Sequence, residues 1–199
     1  MNPFESFMKS IILASQSPRR KQLLEQAELS FSIRTAHSEE HYPKKMPAEE
    51  VPLFIAKNKA DAVWNTLNAS EQKQNIIIAA DTVVVLDHII IGKPEDEQDA
   101  FRILKMLSGK THVVITAVVL KSTEDRLLIR EETEVCFRPL SEDQITHYIK
   151  HYKPFDKAGA YAIQEWIGLI GIEQIKGDYY NVVGLPVGKV LSALEQFSN

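Results

Sequence analysis

The sequence predicts a mixed α/β fold, a central sheet with flanking helices, from three features of its apolar patterning. Short runs rich in Ile and Val, as at 11–14 and 76–86, have the length and composition of buried strands. Between them lie stretches whose apolar residues recur every three or four positions, as in helices with one buried face. Neighbouring apolar runs are separated only by short polar turns at Asp87-His88 and at 122–125, so hairpins must accompany the helix-linked strands.

Ile11-Ile12-Leu13-Ala14 predicts a buried strand, and Ser15-Gln16-Ser17 then leads to Pro18, which suits the first position of a helix. Ser17 is its N-cap, and Leu23, Leu24 and Ala27 form its apolar stripe. A second helix is expected over 49–64, with Pro52 in its first turn and Leu53, Ala56, Ala60, Val63 and Trp64 at helical spacing. The run 76–86, interrupted only by Asp81-Thr82, turns at Asp87-His88 into Ile89-Ile90-Ile91. A third helix carries Ala100, Ile103, Leu104 and Leu107 and stops at Ser108-Gly109. Strands are expected over 112–120 and 127–137, followed by a helix capped by Ser141 with Gln144 and ended by Pro154. A strand over 169–175 and a helix after Pro186, striped by Val187, Val190, Leu191 and Leu194, complete the chain.

The 199 residues carry 23 Lys plus Arg against 27 Asp plus Glu, a formal charge of −4, with 44% hydrophobic and 25% charged residues. That balance excludes a disordered tail or a coiled coil, and no repeat, linker or charge block marks a boundary, so residues 1–199 read as one domain. The basic clusters Arg19-Arg20-Lys21 and Lys44-Lys45 are too short to grip a nucleic acid. No apolar run approaches the ~18 residues of a membrane span. The start, MNPFESFMKS, has Glu5 and no basic residue before a long apolar stretch, unlike a signal peptide. A cytosolic protein without nucleic-acid or membrane partners is expected. The single cysteine, Cys136, lies in an alternating stretch that suits a strand side chain better than a nucleophile.

Four segments could carry chemistry. Ser15-Gln16-Ser17-Pro18-Arg19-Arg20 places a helix N-terminus after a strand, a natural anion site. Two arginines in that first turn oppose the helix dipole by about 0.3–1 kcal/mol each, so a bound polyphosphate would explain them, and removing Arg20 should leave stability unchanged or slightly improved. Asp81-Thr82 sets a carboxylate inside the most apolar stretch of the chain, where it must be paired, liganded to a metal or exposed at a bend. Lys93, after the hairpin return in Gly92-Lys93-Pro94, can meet either that acid or a phosphate. The stretch 155–164 combines Lys157 and small residues with Gln164, whose amide can read a base edge, and 177–186 is a glycine-bounded loop with tyrosines. His147 and His151 sit four apart, yet no further ligand pattern completes a zinc site. Walker, dinucleotide and nucleophile-elbow patterns are missing.

Taken in order, LASQSPRR, SEE, AADT, GKP, LSGKTHVVITAV, FDKAGAYAIQ and GDYYNVVGLP resemble the Maf family of nucleoside triphosphate pyrophosphatases from near residue 11 to the C-terminus. The resemblance implies a fold of the Maf and inosine-triphosphate-pyrophosphatase type, two lobes around a cleft, and cleavage between the α and β phosphates. The GAY-x-IQ form of 159–164 is similar to the branch acting on dTTP and UTP, with Ala162 where many relatives carry glycine. Position by position, the resemblance implies Asp81 as proton acceptor and Arg19, Thr82 and Gln164 as residues of substrate choice. It implies Ser15, Arg20, Lys93 and Lys157 as phosphate contacts, and Glu40, with Glu39 as the alternative, as ligand of a divalent cation, Mg²⁺ or Mn²⁺. Water would attack directly, without a covalent intermediate. A homodimer is also implied. Because the family is associated with inhibition of septum formation in bacterial division, a nucleotide-binding regulator stands beside the enzyme as a second reading. An enzyme acting on damaged purine triphosphates is disfavoured by the pyrimidine-branch motif.

Overall fold

In the computed structural model, which describes residues 9–197, the longest apolar run becomes the strand beside which the others are laid. The first eight residues, on which the reading of the leader rests, lie outside the described residues. Strand β1 (Ser10–Leu13) pairs in parallel with both β2 (Phe31–Ile33) and β3 (Asn75–Leu86). Ile76 to Ala80 are all buried, as in a strand covered on both faces, which is why this segment reads as continuous rather than alternating. β3 returns through Asp87 and His88, at φ 49° and 65°, into antiparallel β4 (Ile89–Ile91), the left-handed two-residue turn that suits the strand twist. With β5 (Thr111–Lys121), β6 (Arg126–Phe137) and β7 (Ile172–Lys176), a seven-stranded sheet is complete. Its order is β2-β1-β3-β5-β6-β7, with β4 paired to β3 off this path and β6 antiparallel to β7. The mixed α/β class expected from the sequence is thus observed. Cys136 lies in β6, half-buried and free.

Several helices begin where side chains cap them. At α1 (Pro18–Gln26) the Ser17 hydroxyl accepts the Arg20 N–H, and at α4 (Glu97–Leu107) Asp96 accepts the Asp99 N–H. At α5 (Glu142–Tyr152) Ser141 and Gln144 form the expected capping box. α2 (Val51–Trp64) starts two residues later than expected, after Glu50, whose side chain makes no cap bond. The sequence pattern does not reveal α3 (Ala69–Gln74), because a six-residue helix with no buried residue has no apolar stripe to detect. One expectation is corrected: 169–171 are helical, in α6 (Trp166–Gly171), and the strand begins only at Ile172. A short apolar run carries no period that separates helix from strand. Gly168 favours the tight turn, since a Cβ there would sit 1.8 Å from the Ile163 carbonyl oxygen. Two further helices, α7 (Tyr179–Val183) and α8 (Val187–Gln196), follow β7. No helix among the described residues is long and apolar enough to cross a membrane.

Contacts divide the chain into two compact units. The first contains residues up to Asp81, 116–131 and those from Gly184 onwards. Its core joins Ile12, Ala14, Ile77, Ala79 and Val119 to Ala56, Ala60 and Val63 of α2. The second contains 82–115 and 132–183, with Val84, Leu86, Val114 and Phe137 packed with Ile103, Leu104 and Leu107 of α4 and Ile145, Tyr148 and Ile149 of α5.

Within that second core His112 is 1% exposed. Its Nε2 lies 2.7 Å from the Tyr161 hydroxyl, its ring is edge-on to Phe137 and Tyr161, and its Nδ1 has no partner among the described residues. Burial lowers its pKa to about 4. The unfolded imidazole titrates near 6.5, so between these values the unfolded chain takes up a proton that the folded chain refuses. His112 therefore costs no stability above pH 6.5, and stability falls as the pH drops towards 4, by up to about 3 kcal/mol. Urea unfolding of the wild type and of His112→Gln from pH 4 to 7 checks this: the variant should show the shallower loss.

Candidate active site

The first unit gathers Ser15, Glu40 and Asp81 around the buried Arg20 and the half-buried Lys59. Ala14 N–H donates to the Ile78 carbonyl at 2.8 Å, which carries the chain beyond β1 along β3 before it turns into α1. Ser15, at this turn, is buried, and its hydroxyl accepts the Ser17 N–H at 3.2 Å. Arg20, one turn into α1, points inward rather than to solvent and is 9% exposed. Its Nε donates to the Gly184 carbonyl at 2.9 Å, and its Nη1 to the Ala80 carbonyl at 2.8 Å and to Ser15 Oγ at 3.3 Å. Burial lowers the pKa of this guanidinium, against the raising pull of Asp81; Arg19 lowers it further and Glu40 raises it. Arg19 itself is half-buried at the same helix start.

Asp81 is the residue after the carbonyl that Arg20 holds. Its side chain is 15% exposed, and Oδ1 accepts from Lys59 Nζ at 2.8 Å. The same ammonium lies 2.9 Å from Glu40 Oε1, in the loop after β2, so Glu40 shares Lys59 with Asp81. Lys59 escaped the sequence reading, although a signal existed. It stands four residues after Ile55 and four before Val63, both buried, which places a lysine on the core-facing stripe of α2.

The second unit gathers Lys93, Lys157 and Gln164. Thr82 opens it, half-buried in β3. Lys93 is exposed two residues beyond Ile91, which pairs with Val84. The Gly159 N–H donates to the Gly92 carbonyl at 3.0 Å and so ties the Lys93 segment to the segment bearing Lys157. Lys157 is 7% exposed, and its Nζ lies 2.7 Å from Asp156 Oδ1 and 3.5 Å from Glu165 Oε1. Gln164 is exposed, directly before Glu165 and the start of α6. Asp156 lies inside the FDKAGAYAIQ stretch and Glu165 directly after it, but only their proximity identifies them as partners of Lys157. The tyrosine loop 177–186 is tied to the neighbouring strands: Asn181 Nδ2 donates to the Val114 carbonyl at 3.0 Å and to Thr133 Oγ1 at 2.9 Å, and Thr133 donates to the Asp178 carbonyl. The histidine pair of α5 stacks at 4.3 Å beside Trp166, and among the described residues no group of three or more His, Cys, Asp or Glu could hold a metal ion.

The sequence model of the Maf-like protein family matches residues 10–197. The chain belongs to the Maf family. A relative from Phocaeicola vulgatus, named dTTP/UTP pyrophosphatase, is 49% identical over 187 residues, which are 94% of this chain and 95% of its own. Relatives of the same name from Cytophaga hutchinsonii and Porphyromonas gingivalis are 48% and 42% identical, over 95% and 94% of this chain and 84% and 94% of their own. The Maf motifs named from the sequence thus fall in both units: LASQSPRR and the aspartate of AADT in the first, GKP and FDKAGAYAIQ in the second.

The burial of Arg20 and its bonds to two carbonyls argue against the expectation that its removal leaves stability unchanged or slightly improved. Arg20→Ala would leave the Ala80 and Gly184 carbonyls without this donor, and each such buried group costs about 1–3 kcal/mol. A stability loss on the order of 2 kcal/mol or more is expected in urea unfolding. Arg20→Lys should recover only part of it, because one ammonium cannot reproduce the fork of the guanidinium.

Proposed function

We propose that this protein is a nucleoside triphosphate pyrophosphatase that hydrolyses dTTP and UTP to the monophosphate and pyrophosphate. The observation that carries the reading is its membership of the Maf family, with dTTP/UTP pyrophosphatases 42–49% identical along almost its whole length. The reaction adds water at phosphorus, opens the α–β anhydride, and releases pyrophosphate and one proton.

Asp81 is the group proposed to take that proton. Its carboxylate is held by Lys59 on one side and by a backbone that Arg20 fixes at Ala80 on the other, so it need not reorganise to meet a water. A triphosphate brings about four negative charges, for which Arg19, Lys59, Lys93 and Lys157 are the proposed cations, while Ser15 and Arg20 shape the turn at the start of α1. A divalent cation, Mg²⁺ or Mn²⁺, fits Glu40. Glu40 and Asp81 already converge on one ammonium, so two carboxylates stand close enough to serve a cation whose remaining ligands would be water and phosphate oxygens. When bound, the cation would neutralise charge developing on the phosphate oxygens.

Base choice is assigned to Gln164 with Arg19 and Thr82. Uracil and thymine share an edge of two carbonyl acceptors flanking an N–H donor, which an amide complements; cytosine presents an amino group that an arginine, donor only, rejects. A cytosolic location and a homodimeric assembly belong to the same reading, the latter measurable by sedimentation.

Asp81→Asn keeps the shape and loses the basicity, so pyrophosphate release from dTTP should fall by about 10²-fold or more while calorimetric binding persists. Binding without hydrolysis by the wild type itself would favour the cell-division regulator instead. Steady-state kinetics across a nucleotide panel should show dTTP and UTP turned over comparably and CTP poorly. Gln164→Ala should lower kcat/KM for the first two by roughly ten- to hundredfold and for CTP by less.

A further inference from the structure

We infer that Tyr148 is a positioning residue for this hydrolysis, its buried hydroxyl fixing how the segment 157–164 presents both Lys157 and Gln164. The inference rests on the dTTP/UTP pyrophosphatase reading and adds to it a residue that never meets the substrate. Tyr148, on α5, is 0% exposed. Its hydroxyl donates to Glu165 Oε2 and accepts the Ala162 N–H at 3.2 Å. Burial, then the bond to Glu165, pushes its pKa well up, so the group remains a hydroxyl donor.

Two routes leave this hydroxyl. Through Ala162 it pins the backbone two residues before Gln164. Through Glu165 it holds a carboxylate whose other oxygen reaches Lys157 at 3.5 Å. A lysine whose side chain is only 9% exposed depends on such partners, because an ammonium removed from water without aligned carboxylates is costly. The segment also needs an external hold. Gly159 and Ala160 lie consecutively in the left-handed region, at φ 71° and 56°, and for alanine this costs about 1–3 kcal/mol. A Cβ at Gly159 would come within 3.0 Å of Val84 Cγ2, so the turn is pressed against β3. Tyr161, between the strained pair and Ala162, is fixed through its own hydroxyl by His112. A strained turn of this kind persists only where its surroundings over-determine it, and here they do so through two tyrosine hydroxyls.

Two variants separate the routes. Tyr148→Phe keeps the ring and removes both bonds, whereas Glu165→Gln keeps an acceptor for Tyr148 and removes only the charge facing Lys157. With dTTP, UTP and CTP as substrates, Tyr148→Phe should lower kcat/KM for dTTP and UTP by about tenfold and for CTP by less, narrowing discrimination. Glu165→Gln should slow all three by one common factor, because phosphates carry no base identity. Hydrogen exchange at the Ala162 amide, which needs no activity, should accelerate by about tenfold in Tyr148→Phe and stay protected in Glu165→Gln. Tyr148→Phe leaving the dTTP-to-CTP ratio within about twofold of wild type, whatever its Tm, overturns the inference, as does an unchanged Ala162 amide. A wild type that hydrolyses neither dTTP nor UTP removes the parent reading and this inference with it; an active wild type with an unmoved ratio removes this inference alone.

Discussion

A guanidinium withdrawn from water must find acceptors, and the first unit is built around Arg20, which donates to Ser15, Ala80 and Gly184. Ser15 belongs to the turn after β1, Ala80 ends the buried run of β3, and Gly184 precedes α8. One planar side chain thereby sets the relative positions of three segments far apart in sequence, with the direction that a forked donor imposes. The residue after Ala80 is Asp81. Its carboxylate projects from a backbone whose preceding carbonyl Arg20 holds, the preorganisation that the base proposed here needs.

Each unit also keeps a largely buried lysine between two carboxylates. Lys59 lies between Asp81 and Glu40, and Lys157 between Asp156 and Glu165. The common logic is electrostatic. An ammonium in a poorly hydrated position is held by acids that an incoming anion can partly replace, so the cation is in place before the ligand arrives. Around Lys157 this order extends to the backbone, where Gly159 and Ala160 accept left-handed geometry because Tyr148, Tyr161 and His112 fasten the following residues.

Much of the secondary structure was legible. The capping box of α5, the Ser17 cap of α1 and the two-residue turn at Asp87-His88 follow from local chemistry, because each element satisfies its own backbone groups nearby. What escaped had no local signature. α3 is too short and too exposed to show a stripe, and 169–171 could be read as strand because so short an apolar run has no period. Arg19 and Arg20 looked equivalent in sequence; one is half-buried and the other is a buried strut.

By itself the sequence determined the mixed α/β class, the family, and the anomaly of one carboxylate in the most apolar run, since patterning and motif order are properties of neighbouring residues. The tertiary structure alone decided that Lys59 joins Glu40 to Asp81, that Arg20 donates to the Ala80 and Gly184 carbonyls, and that Tyr148 ties Ala162 to Glu165. The physical reason is that a buried polar group is defined by its partners. Those partners lie from 14 residues away for Tyr148 and Ala162 to 164 for Arg20 and Gly184, beyond the reach of any local pattern.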